Sequence, residues 1–150
     1  MRRAKPGGWY DDFPYRLHFE GAARTAFPSM RVSRTGKGKT GSIVYTLHVP
    51  VPEFNERRLI RITLWNDSRT TVRSLTADGP TASPHRYGNG TLCMWYPKDG
   101  PERRWVSEDG LLRLIRCTQV HLFKEAFWRR YGEWPGPEAP HGPDEVKEAA

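Results

Sequence analysis

The hydrophobic pattern changes period partway along the chain, and this limits the fold more than any other feature. Between Met30 and Ala77 apolar residues alternate with polar ones, the period of a strand with one buried face. After Ser107 they recur every three or four residues, the period of a helix. The alternation is clearest at Ile43, Tyr45, Leu47 and Val49, which share one face, while Val44, Thr46 and His48 share the other. Pro50 and Pro52 close that strand, because proline cannot donate to a ladder. Met30 and Val32 begin an earlier strand. Ile60, Ile62 and Leu64 mark a third within Arg58 to Trp65, and a weaker fourth covers Val72 to Ala77. Gly36 to Gly41 joins the first two as a hairpin loop.

Ahead of the strands, Phe19, Ala22, Ala23, Ala26 and Phe27 fall at helical spacing and predict a helix over 13–27. Gly21 weakens it by about 1 kcal/mol, and Pro28 ends it. Behind the strands, Ser107 is a candidate N-cap. Leu111, Leu114, Ile115 and Leu122 form one stripe, and Val120, Phe123, Phe127 and Tyr131 a second. Gly132 is placed to cap the end, and Pro135 blocks continuation. Residues 78–104, rich in Pro and Gly, read as a long irregular connection, a feature that often carries function. The order predicts an α+β fold: a four-stranded antiparallel meander with helices packed on one face. Residues 1–13 read as a flexible arm, 14–136 as the domain and 137–150 as a polar tail.

Hydrophobic residues are scarce at 37%, but six Trp, six Tyr and six Phe can still build a modest core. The net charge of +7 favours acidic partners. The basic residues are scattered, from Arg2, Arg3 and Lys5 through Arg31, Arg34, Arg57, Arg58 and Arg61 to Arg129 and Arg130. Without a basic run, nucleic acid is not the expected partner. Two cysteines do not make a disulfide framework. No apolar stretch follows the basic start, and no run approaches membrane-spanning length, so a cytoplasmic protein with no membrane partner is expected.

Gly38-Lys39-Thr40 invites a phosphate-loop reading, but Ser33 stands where that motif needs its first glycine, and a strand follows rather than a helix. His85, Cys93, Cys117, His121 and His141 include no closely spaced ligand pair, so neither a metal nor an organic cofactor is expected. Cys117 lies mid-helix beside a hydrophobic stripe and reads as a buried, inert thiol. Cys93 directly follows the Asn-Gly turn in Gly88-Asn89-Gly90-Thr91-Leu92-Cys93. A turn presents a thiol to solvent, and backbone N–H groups near its glycines could support an oxyanion. The thiolate is the attacking form, and His85, Arg86 and His121 are candidates to assist by charge or as base. The alternative for Cys93 is a small core residue.

His85-Arg86-Tyr87-Gly88-Asn89-Gly90-Thr91-Leu92-Cys93 resembles the active-site segment of E2 ubiquitin-conjugating enzymes. There a His-Pro-Asn tripeptide leads through an Asn-Gly turn to the acceptor cysteine. Ala26 to Val32 resembles the join between first helix and first strand of that family, and Trp105 with the helical stretch behind it resembles its crossover. Phe127-Trp128 to Tyr131-Gly132-Glu133-Trp134-Pro135-Gly136-Pro137-Glu138-Ala139-Pro140-His141 resembles the ending of bacterial E2-like proteins of antiphage (CBASS) operons. The spacing to the cysteine is short, and Arg86 and Tyr87 replace the tripeptide's Pro and Asn. In the family that Asn supports the oxyanion during lysine transfer, and the His is mainly structural.

The resemblance implies an E2-type (ubiquitin-conjugating) fold and a cysteine acyltransferase. Cys93 would hold the C-terminal carboxyl of a partner protein as a thioester, with His85 and His121 as secondary candidates. The implied partner is a cyclic-oligonucleotide synthase of the same operon, supplied through an E1-like activating enzyme or attacked directly. Two other readings remain. One is a non-catalytic E2-variant adaptor. The other is a small basic nucleic-acid-binding domain that stacks bases on Trp9, Tyr10, Tyr87 or Trp95.

Overall fold

A computed structural model describes residues 8–67, 72–94 and 105–136. Most of the expected arm, the whole of the 137–150 tail, Trp95 and His141 lie outside the described residues.

The chain begins with a short 3-10 turn, Trp9–Asp11, and then helix α1, Phe13–Ala26. The side chain of Asp12 accepts from the Tyr15 N–H, and Pro14 occupies the first turn, where a missing N–H costs nothing. The buried side of α1 is Tyr15, Phe19, Glu20 and Ala23, whereas the expected Ala22 and Ala26 face solvent. Alanines carry little surface to bury, so the aromatic i, i+4 row decides how the helix is turned. Glu20 enters this core by bonding Arg16, Arg24 and the Tyr45 hydroxyl.

Four antiparallel strands follow in meander order: β1 Arg31–Thr35, β2 Ser42–Val51, β3 Glu56–Trp65 and β4 Val72–Ala77. The register sets Ile43 against Leu64, Tyr45 against Ile62 and Leu47 against Ile60, so these residues share one face. All six are buried, each stabilising the fold by about 1.5–3 kcal/mol on the transfer scale. Both α1 and the last helix, α2 Gly110–Tyr131, cover this face: Tyr45 reaches Glu20 on α1, and Gln119 on α2 donates to the Pro50 carbonyl. The other sheet face carries no helix among the described residues.

The segment expected as a flexible arm ends in a core residue. Trp9 is fully buried, packs its ring 5.1 Å from Phe19, and donates its indole N–H to the Trp65 carbonyl. Gly8, at φ 121°, lets the chain pass Asn66, whose Oδ1 would lie 2.8 Å from a Cβ there. Trp9 is therefore no stacking platform. Tyr10 is half-buried, with Arg16 and Arg34 guanidiniums over its ring.

Ser107 does not cap α2. It opens a 3-10 turn, Ser107–Asp109, in which the Asp109 carboxylate accepts from the Val106 N–H, and α2 starts at Gly110. The two expected stripes lie on this one helix. Leu111, Leu114, Ile115 and Leu122 are buried, while Val120 and Tyr131 are exposed. Gly132, at φ 80°, turns the chain and caps the helix through a bond to the Trp128 carbonyl.

Candidate functional site

Beyond β4 the chain forms the irregular connection that holds Cys93. A bridge between Arg86 and Leu92 closes a tight loop. Within it the Gly90 N–H bonds the Tyr87 carbonyl, the Tyr87 N–H bonds the Thr91 carbonyl, and Asn89 Oδ1 accepts from both the backbone and the hydroxyl of Thr91. Leu92 is buried, and its N–H bonds the Leu75 carbonyl on the β4 edge. The Cys93 N–H bonds the His85 carbonyl at 2.9 Å. Cys93 is thus half-buried on a loop whose own backbone holds it, directly after the turn.

The N–H groups of Tyr87, Gly90, Thr91, Leu92 and Cys93 are all engaged inside the loop or with β4. Those five groups do not stand ready for an oxyanion.

A buried charge cluster fastens the loop to α2. The Arg86 guanidinium donates in bidentate fashion to Glu125, Nε to Oε2 and Nη2 to Oε1, each at 2.7 Å. Both side chains are almost wholly buried, at 5% and 0% exposure. His121 Nε2 lies 3.2 Å from the same carboxylate, and Arg129 Nη1 3.8 Å from it. Arg129 also donates to the Ala82 carbonyl, tying the start of the loop to α2. Beyond the helix end, the Trp134 ring sits 4.2 Å from that of His85 and 5.5 Å from that of His121.

The electrostatics follow from this packing. Burial alone would push the Glu125 carboxyl up, but hydrogen bonds from Arg86 and His121 outweigh it and hold the group down at about 2. Burial pulls His121 below its ordinary value, against the opposing pull of Glu125. A carboxylate only accepts, so the His121 proton sits on Nε2 and points at Glu125.

The sequence candidates therefore separate. His85 touches Cys93 through its backbone carbonyl, and its ring packs under Trp134. His121 lies in the buried cluster behind the loop. Cys117 is half-buried rather than buried: it sits on the rim of the α2 stripe, where burial still pushes its thiol up and Arg113 partly offsets this. Among the described residues no three His, Cys, Asp or Glu side chains are grouped to hold a metal.

Glu125 and Trp134 were not among the candidates. Glu125 does carry a sequence signal, an acid in register with the apolar stripe of Leu111, Leu114, Thr118 and Leu122. Trp134 carries none, because the contact depends on how the chain turns after Gly132. A shallow cleft of about 170 Å³ runs between the β4 edge and the loop, lined by Arg73, Leu75, Tyr87, Leu92 and Met94, and so flanks Cys93 on both sides in sequence.

Among the described residues no helix is long and apolar enough to cross a membrane. A family model described as a type II CBASS E2 protein matches residues 21–142, running past 136 into the segment read as tail. No curated protein and no solved structure matches the chain.

Proposed function

The chain belongs to the family of type II CBASS E2 proteins, and on that premise we propose that Cys93 carries the C-terminal carboxyl of a partner protein as a thioester. The family places the chain in antiphage defence. The four-stranded meander with its two helices is read as an E2-type (ubiquitin-conjugating) fold. The observation that carries the proposal is the setting of Cys93: a half-buried thiol after a tight turn, on a loop clamped to α2 by the buried Arg86–Glu125 pair. A nucleophile that must meet a large acyl donor gains from being held in one place.

In the step itself, the Cys93 thiolate attacks the thioester carbonyl on an activating enzyme. The new Sγ–C bond forms, the donor's S–C bond breaks, and the donor thiolate leaves. No base is needed for exchange between thiolates. Where no activating enzyme takes part, Cys93 attacks an amide instead: a base takes the thiol proton, the Sγ–C bond forms, and the base, now protonated, hands that proton to the nitrogen as the C–N bond breaks. His121 holds its own proton toward Glu125, so only its Nδ1 could serve. The acyl donor is read as a cyclic-oligonucleotide synthase of the same defence system.

Co-expression with the proteins of that system, followed by gels with and without thiol reductant, tests the reading. A reductant-sensitive adduct is expected. Cys93→Ser should give an oxyester that resists reductant and yields to hydroxide. Cys93→Ala should abolish the adduct, and Cys117→Ala should leave it. If no Cys93-dependent band forms with any of these proteins, an adaptor role replaces the catalytic one.

A further inference from the structure

The sheet face that carries no helix among the described residues gathers what the sequence scatters. Counting along the register, the residues that point away from the helices include Arg31, Ser33, Val44, Thr46, Arg57, Arg61, Thr63, Trp65, Ser74 and Thr76. Arg73, at the β-bulge, joins them: its guanidinium lies over the Trp65 ring at 4.4 Å and donates to the Ser42 hydroxyl. Arg31, Thr46, Arg61 and Thr76 form one row across all four strands. Strands are about 4.8 Å apart, so Arg31 and Arg61 stand roughly 10 Å apart, and Arg57 lies about 13 Å further along β3. Among the described residues no Asp or Glu side chain projects from this face. Asp78, at its border, is bonded to the Leu59 N–H.

The chemistry of the face selects its partner. Protein–protein interfaces enrich Arg together with exposed aromatic residues and Met, and deplete Ser. Here Val44 is only 9% exposed, and Trp65, though 36% exposed, has the Arg73 guanidinium over its ring. His48, Pro50 and a half-buried Leu59 share this face between Arg57 and Arg61, and the rest of it is arginine forks and Ser/Thr hydroxyls, the donors that contact phosphate oxygens in nucleic-acid complexes. We infer that this face binds the phosphate backbone of a nucleic acid without reading its sequence. The inference goes beyond the thioester reading and does not involve Cys93.

The test is fluorescence anisotropy of the full chain with labelled 20-base DNA of mixed sequence, as single strand and as duplex, across a salt series. Four phosphate contacts on a duplex give a log–log salt slope of about −3.6, so affinity falls about 150-fold between 50 and 200 mM salt. In Arg31→Ala/Arg61→Ala the slope should drop to about −1.8, a loss of about 12-fold over the same range. Arg31→Lys/Arg61→Lys should keep the original slope and controls for the fold. Arg113→Ala/Arg130→Ala removes the same two charges from α2 and should also keep it. Absence of binding at 50 mM salt overturns the inference. So does an equal loss in the α2 variant, which would mean net charge alone is felt. Competition by polyglutamate as strong as by unlabelled DNA overturns it in favour of an acidic protein partner.

Discussion

Glu125 is the residue on which the loop and the helix both depend. An ionised carboxylate at 0% exposure is tolerated because Arg86, His121 and Arg129 surround it. Removing one partner strands the other, so Arg86→Ala should destabilise the fold by about 3–5 kcal/mol. Arg86→Leu/Glu125→Leu, which removes both charges, should cost less than the single change. Urea unfolding of the two variants checks this, and a double variant that is the less stable one would refute a buried pair. The same cluster sets how the fold responds to acid. Glu125 sits at about 2 against an ordinary 4.5, so it contributes about 3 kcal/mol that is present above pH 4.5 and lost as pH falls toward 2. His121 is held below its ordinary 6.5, so below that pH the unfolded chain takes up the proton first, and stability again falls. Both terms have the same sign. The melting temperature should therefore decline from about pH 6.5 downward, and His121→Gln should remove the upper part of that decline while leaving the part below 4.5. A melting temperature constant between pH 7 and 5 in the unaltered protein would contradict the buried neutral imidazole.

The elements differ in how plainly the sequence displays them, and the reason is physical. β2 and β3 are legible because each is long enough for alternation to repeat and is bounded by prolines or polar turns; the faces read from Ile43, Tyr45, Leu47 and from Ile60, Ile62, Leu64 are the buried ones. Cys93 is legible as a loop residue after β4 because Asn89-Gly90 announces the turn. Glu125 could be noticed as an acid on an apolar stripe, but its partner Arg86 is 39 residues away, and nothing local links them. The N-terminal turn is the clearest failure. Three residues cannot show a period, and Pro6-Gly7-Gly8 before them suggests an arm. Trp9 nonetheless closes the core against Phe19 and bonds the end of β3. Trp9→Ala should cost about 3–5 kcal/mol in chemical denaturation, as for other buried aromatics. A cost below about 1 kcal/mol would return residues 8–12 to the status of an arm.

At the scale of the whole molecule, both helices close one face of the sheet, no helix among the described residues covers the other, and the Cys93 segment lies along the β4 edge. Irregular segments usually open on their own, well before the fold does. This one is tied at several separate places: Leu92 to Leu75 on β4, Arg86 to Glu125 and Ala82 to Arg129 on α2, and His85 under Trp134 from beyond the helix end. These ties reach the sheet, the helix and the segment after it, so the loop cannot leave without disturbing all three. The Leu92 and Cys93 amides should then exchange only through global unfolding, with protection equal to that of Ile62 in the central strand β3. Native-state hydrogen exchange by NMR, followed through low denaturant concentrations, measures this amide by amide. Glu125→Gln keeps the side-chain shape but removes the charge that binds Arg86 and His121. In that variant the segment should open separately, with protection at Cys93 falling about 100-fold relative to Ile62, the equivalent of about 3 kcal/mol. Exchange at Cys93 as fast as at an exposed amide in the unaltered protein would mean that the ties do not act together. The outcome bears on function directly. A thiol carried by a globally protected loop meets its acyl donor in one geometry, whereas one on a locally opening loop has to be ordered by the donor itself.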